Sequence, residues 1–159
     1  MKLRFLCFSA ALALAACNVP TVPDFTYYRL PKPQSLEAAR SPLHEAIVVD
    51  AFGADGLYAD QALVYAVDAG GQQLRQYHYQ LWTDPPTRVL QRRLIVMLRE
   101  AGLSREVTDE LPASRAAIRI HGILLRFDRV PKGDGSWSVS VSLKLRADAP
   151  DGTPLVDEF

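Results

Sequence analysis

Cysteine is scarce in this 159-residue chain, which carries only Cys7 and Cys17. Both fall within the first 17 residues, so nothing beyond them can be closed by an internal disulfide, and a folded unit there must rely on its core. Charge of one sign is also missing. The 18 Lys and Arg balance 18 Asp and Glu, which excludes the broad basic field of a nucleic-acid binder. Histidine occurs three times, as His44, His78 and His121, too scattered to suggest a metal site. His78 and His121 fall in predicted strands and read as hydrogen-bonded residues of a sheet face. No GxSxG elbow, GxxxxGK[ST] loop or GxGxxG turn occurs, and GADG at 53–56 lacks the rest of a phosphate cradle. Asp50, Asp55, Asp60 and Asp68 lie near one another in sequence. Carboxylates in pairs can do acid–base work, but most of these sit where aspartate serves turns. The expectation is a non-catalytic chain without cofactor or metal.

Long apolar runs are absent too. The longest, Phe5–Ala16, is interrupted by Ser9 and falls short of the roughly 20 residues that cross a bilayer. Lys2 and Arg4 precede it and small residues end it, the pattern of a secretory signal peptide. Leu14-Ala15-Ala16-Cys17 resembles the lipobox of bacterial lipoproteins, which implies removal of residues 1–16 and acylation of Cys17. More than one acyl chain gives stable membrane attachment. Asn18 is not the aspartate associated with inner-membrane retention, so the outer membrane is favoured. Residues 17–24, with Pro20 and Pro23, read as the lipidated cysteine and an extended tether, and 25–159 as one domain.

Within that domain, Phe25–Leu30 reads as a first strand stopped by Pro31 and Pro33, and SLEAAR at 35–40 as a short helical turn. EAIVVDAF at 45–52 is apolar on both faces, as in a central strand, and GADGLYADQ reads as a loop. ALVYAVD at 62–68 and QLRQYHYQLW at 73–82 flank Gly70-Gly71, which supplies the positive φ of a tight hairpin. A helix follows from about Pro85 to Ala101, capped by Thr83 or Asp84 and ended by Gly102. Its apolar stripe is Leu90, Leu94, Met97, Leu98 and Ala101; its arginines read as a solvated face rather than a contact for lipid phosphate.

Residues 114–130 form a long strand whose inward alternation switches near Gly122, as a bulge there would cause. In WSVSVSLKLRAD the face Trp137, Val139, Val141, Leu143 and Leu145 is expected to be buried, and LVDEF opens a last strand. The fold class is α/β, a single mixed β-sheet with helices packed on its faces.

FTYYRLPKP shortly after a lipobox, IVVDAF followed by GLYADQALVY, and QYHYQLWTDPPTRVLQRRLIVMLREAG together resemble the ABC-type transport auxiliary lipoproteins. That family includes the paraquat-inducible-type component of lipid transport systems. The resemblance implies a fold similar to the amino-terminal domain of TolB. It also implies a lipoprotein at the periplasmic face of the outer membrane, docking an MCE-domain protein served by an ABC permease and ATPase. Tyr28 corresponds to the aromatic of the opening strand, Trp82 to the tryptophan before the helix, and Pro85 or Pro86 to the proline after it. Their structural role in packing comes before contact with a partner or phospholipid. Family members continue into a further strand and a carboxy-terminal helix, whereas this sequence stops at Phe159. Either this member is short or the sequence ends early and one sheet face lacks its cover; an exposed apolar patch beside Trp137, Val139 and Val141 would support the second reading. Rival readings are a lipid-binding carrier module and a structural envelope lipoprotein assisting outer-membrane assembly; the oligomeric state is left open, a homo-oligomer included.

Overall fold

Three separate strands line up along one edge of a single long strand. The computed structural model describes residues 22–112 and 114–158; Cys17 and the 1–16 leader lie outside them. The elements are β1 (Thr26–Tyr28), β2 (Ala46–Val49), β3 (Gly53–Ala54), β4 (Ala62–Ala66), β5 (Leu74–Trp82), α1 (Pro86–Glu100), β6 (Val107–Thr108), β7 (Ala117–Pro131), β8 (Trp137–Asp148) and β9 (Pro154–Glu158). Along β7, the strands β2, β3 and β4 pair in parallel one after another, while β8 runs antiparallel along its other edge. Beyond β4 come β5 and then β1; β6 lies outside β2, and β9 outside β8. The result is one mixed sheet with a single α-helix among the described residues.

Alternation along β2 explains why it is apolar throughout. Ile47 and Val49 join Ile95 and Leu98 of α1 in the main core, while Ala46 and Val48 pack with Ala117 and Leu111 on the opposite side. Burying each large side chain stabilises the fold by about 1.5–3 kcal/mol. Two polar helix residues fix α1 further: Gln91 Nε2 donates to the Val49 carbonyl at 2.9 Å, and Arg99 Nε to the Val107 carbonyl at 2.7 Å.

The helix ends as its sequence requires. Gly102 has φ +65°, its N–H reaches the Arg99 carbonyl and the Leu103 N–H reaches the Leu98 carbonyl, a Schellman closure. Its start differs from expectation. Neither Thr83 nor Asp84 caps it; Pro85 occupies the cap position without a side-chain hydrogen bond, and Pro86 is the first helical residue. The missing N–H of Pro86 is one that would have no helical partner anyway. Asp84 instead lies 3.5 Å from Arg92.

The β4–β5 hairpin forms as expected, with Gly71 at φ +68°. SLEAAR forms no helical turn, and 53–61, expected as loop, contains β3 and a 3-10 turn at Gly56–Ala59. The bulge of β7 falls between Leu124 and Arg126, not at Gly122. Glycine at 122 answers a different need: a Cβ there would lie 2.7 Å from the Phe52 ring, which packs flat against the strand. On β8 only Leu143 and Leu145 reach the core; Trp137, Val139 and Val141, expected to be buried, are 42%, 68% and 56% exposed. Strand β8 runs past the end of the helix-covered core, so the outer half of its apolar face has no layer above it among the described residues.

Gly122→Ala is expected to destabilise the domain by about 1–3 kcal/mol through overpacking. Phe52→Leu should relieve most of that loss in the double variant, as a coupling energy from denaturant unfolding will register.

Candidate functional site

Two features stand out where β1, β5 and α1 meet. The first is an open groove of about 460 Å³ between α1 and the segment after β1. On α1 the residues Val89, Arg92, Arg93 and Val96 recur at helical spacing to form one wall, and Arg29, Leu30, Lys32 and Pro33 form the other. The stripe is distinct from Leu94, Ile95 and Leu98, which face the sheet. The lining of the groove therefore combines four cations with the apolar Leu30, Pro33, Val89 and Val96, and holds Asp84 and Glu100 as its acids.

The second is an apolar cleft of about 220 Å³ that shares Leu30 with the groove and is lined further by Trp82, Phe127 and Val139. Trp82 stacks on Phe127 with ring centroids 5.1 Å apart and planes 6° from parallel. Tyr28 and Trp82 are register partners across β1 and β5, and the Thr83 N–H donates to the Tyr28 carbonyl at 3.0 Å. Pro85 follows at the helix start, three residues after Trp82, so the register brings Tyr28 and Trp82 together and the chain alone links Pro85 to them. Beyond Val139 the exposed strip continues to Trp137, whose ring lies 3.6 Å below the Arg129 guanidinium.

A buried charge cluster lies behind the cleft. Asp128 is 2% exposed and accepts from Tyr58 Oη at 3.1 Å, from Arg126 Nε at 2.8 Å and from Arg126 Nη2 at 3.0 Å. Burial, then the Asp128 charge, pushes the Tyr58 phenol up to about 12. The hydrogen bond to Asp128 also raises Arg126 above its ordinary value. Arg126 in turn rests on Gly71, where any Cβ would collide with its guanidinium. The cluster locks the β4–β5 turn and the 3-10 turn to β7.

On β7 further along, His121 bridges two acids, with Nδ1 3.2 Å from Asp50 and Nε2 3.3 Å from Asp148. Arg119 and Arg146 pair with the same two carboxylates at 2.9 and 2.8 Å. The aspartates grouped in sequence do not form a shared acid–base pair: Asp50 serves this network, while Asp68 accepts from the Gln72 N–H at 2.9 Å and closes the hairpin turn. Sequence reading missed the Tyr58–Asp128 contact. Its only local signal is an aspartate in a strand position that β alternation would make costly to bury unpaired.

A model of the family described as ABC-type transport auxiliary lipoprotein component matches residues 28–157. The chain belongs to that family. Comparison with curated proteins gives no match. Among solved structures, protein XCC0632 from Xanthomonas campestris is similar in fold, with a TM-score of 0.69 and 16% identity over 84% of this chain and 74% of the other. A crystal structure of an uncharacterized protein gives a TM-score of 0.62 at 16% identity, covering 86% and 76%. At such identity these likenesses establish the fold. The family description is that of an auxiliary component of ABC-type transport. No described helix is long and apolar enough to cross a membrane.

Asp128→Ala, which removes the partner of Tyr58 and Arg126, is expected to cost about 1–3 kcal/mol in denaturant unfolding, since the partly exposed Arg126 can turn to water. Because the folded Tyr58 holds its proton more tightly than the unfolded chain, its contribution is complete below pH ~10 and lost as pH rises from there toward 12. Tyrosinate absorbance titration should show a step near 12 that disappears in Tyr58→Phe.

Proposed function

We propose that the chain is the lipid-tethered, non-catalytic auxiliary subunit of an ABC system that moves lipid between membranes. The observation that carries this reading is the family match over 28–157 standing directly behind Leu14-Ala15-Ala16-Cys17. In it, residues 1–16 are removed, and acylated Cys17 holds the protein at the periplasmic face of the outer membrane. Residues 17–24 then give the domain a reach of roughly 25 Å, at ~3.3 Å per extended residue. The domain, 25–159, docks an MCE-domain protein fed by the ABC permease and its ATPase.

The docking surface in this reading is the strip Trp137, Val139 and Val141, joined through the cleft to Trp82, with Tyr28 and Pro85 at its margin. Exposed aromatic and branched apolar side chains in one contiguous strip mark a protein interface better than a solvated surface. A carrier role is less well supported: the apolar cleft of about 220 Å³ lies below the roughly 300–1,000 Å³ of ordinary ligand pockets, and the larger groove of about 460 Å³ is open and carries four cations in its lining.

Cys17→Ser is expected to move the protein from the membrane to the soluble fraction. Crosslinking in cells should recover the MCE-domain and permease components with the wild type. The pair Val139→Glu and Val141→Glu, both exposed, should reduce that recovery by about tenfold with the thermal midpoint preserved. Consistent absence of MCE components from wild-type crosslinks would sink the docking claim, and co-purified phospholipid in native mass spectra of the delipidated chain would favour the carrier.

A further inference from the structure

The groove beside α1 has no role in the docking reading. Its cations are unusual in having little to answer them: among the described residues, Arg29, Lys32 and Arg93 have no acid within ion-pair distance. The fourth, Arg92, meets Asp84 only at 3.5 Å and largely in solvent, an arrangement that contributes little. Against the groove's two acids, Asp84 and Glu100, its four cations leave an excess of positive charge that an anion would balance. Arginine is suited to phosphate because its planar fork donates two parallel hydrogen bonds.

The apolar lining narrows the occupant. Leu30, Pro33 and Val89 line the groove along with the charges, and Val96 is 44% exposed on the helix. A free phosphate ion gains nothing from such a lining, whereas the glycerol and first methylenes beneath a lipid headgroup do. The groove's near wall also lies on the stretch of chain that leads back to residue 17, only 12 residues before Arg29. At ~3.3–3.6 Å per residue an extended chain of that length spans at most about 40 Å. A domain so tethered keeps this wall close to whatever membrane holds its amino end.

The geometry points to a membrane-docking site: the groove between Arg29–Pro33 and α1 receives the phosphate headgroup of an anionic lipid in the bilayer surface, seating the α1 face against the membrane. The lipid's tails stay in the bilayer, because the groove is open and sized for a headgroup. The partner strip on β8 is then left free for a protein. This inference rests on the tethered reading for which membrane is met; the binding itself does not depend on any transport partner.

Co-sedimentation tests it, using the chain from residue 17 onward with Cys17→Ser and vesicles of phosphatidylcholine with or without phosphatidylglycerol. The expected result is binding to the phosphatidylglycerol vesicles that weakens as salt rises. Each basic side chain at an anionic surface strengthens partition about fivefold, so Arg92→Glu with Arg93→Glu should weaken it by about 25-fold or more. Arg29→Glu with Lys32→Glu should match that loss, and the charge-matched control Arg75→Glu with Arg105→Glu should lose much less. Circular dichroism checks that each variant folds. Three outcomes overturn the proposal: equal binding to both vesicles, equal losses in the control, or groove-dependent binding of inorganic phosphate alone as tight as that of the vesicles, which would mark a free-phosphate site. A fourth does so as well: groove variants that keep vesicle binding but lose the MCE crosslinks, which would make the groove a protein interface. Since the vesicles contain no transport protein, failure of the docking reading leaves this result unchanged.

Discussion

Everything in this domain depends on β7 being hydrogen-bonded along both edges. Its 15 residues serve β2, β3 and β4 in succession on one side and β8 on the other. A strand used this way cannot slide, since a shift of one residue would exchange its core and outer faces against every neighbour at once. The extra residue at Leu125 reconciles these demands, letting Leu124 and Phe127 both join the inner cluster despite their odd spacing. The Asp128 cluster sits just beyond that point, and it ties the turns of the amino-terminal half to the same strand. Desolvation of the buried Asp128 offsets part of its attraction to the partly exposed Arg126.

The functional surfaces are by-products of where this frame stops. Helix α1 covers the sheet over β2, β6 and the first half of β7, held there by Gln91 and Arg99 as well as by its apolar stripe. Past its reach, β8 keeps alternating, so an apolar strip emerges without a layer over it. The helix has a second stripe, Val89, Arg92, Arg93 and Val96, which faces the segment behind β1. Two unlike surfaces, one apolar and one cationic, thus meet at Leu30, which lines both the cleft and the groove.

Local signals made much of this legible in the sequence. Gly71 and Gly102 marked the hairpin and the helix end because each needs a left-handed φ that few other residues tolerate. The apolar helix stripe and the two-faced β2 followed from periodicity, and the ordered motif blocks pointed to the family that the model match bears out. Gly122 was misleading because a glycine in a strand has two explanations, a bulge or a close neighbour, and only the position of Phe52 separates them. Pro85 displaced the expected cap for a similar reason: two prolines in a row left the start of the helix to backbone geometry alone. The groove and the Tyr58–Asp128 contact join residues about 60 and 70 positions apart, and no local pattern announces such pairs.

The order of the strands has a consequence in time. Emerging from its amino end, whether at a ribosome or through a membrane pore, the chain delivers β2, β3 and β4 long before their common partner. Until Ala117–Pro131 has followed, the β4–β5 hairpin is the main pairing open to it, and the other strands have bare edges. Non-local pairing of this kind is slow to nucleate. The parallel pairings of β2, β3 and β4 can therefore close only after β7 has followed them, so the sheet is completed late in the order of the chain.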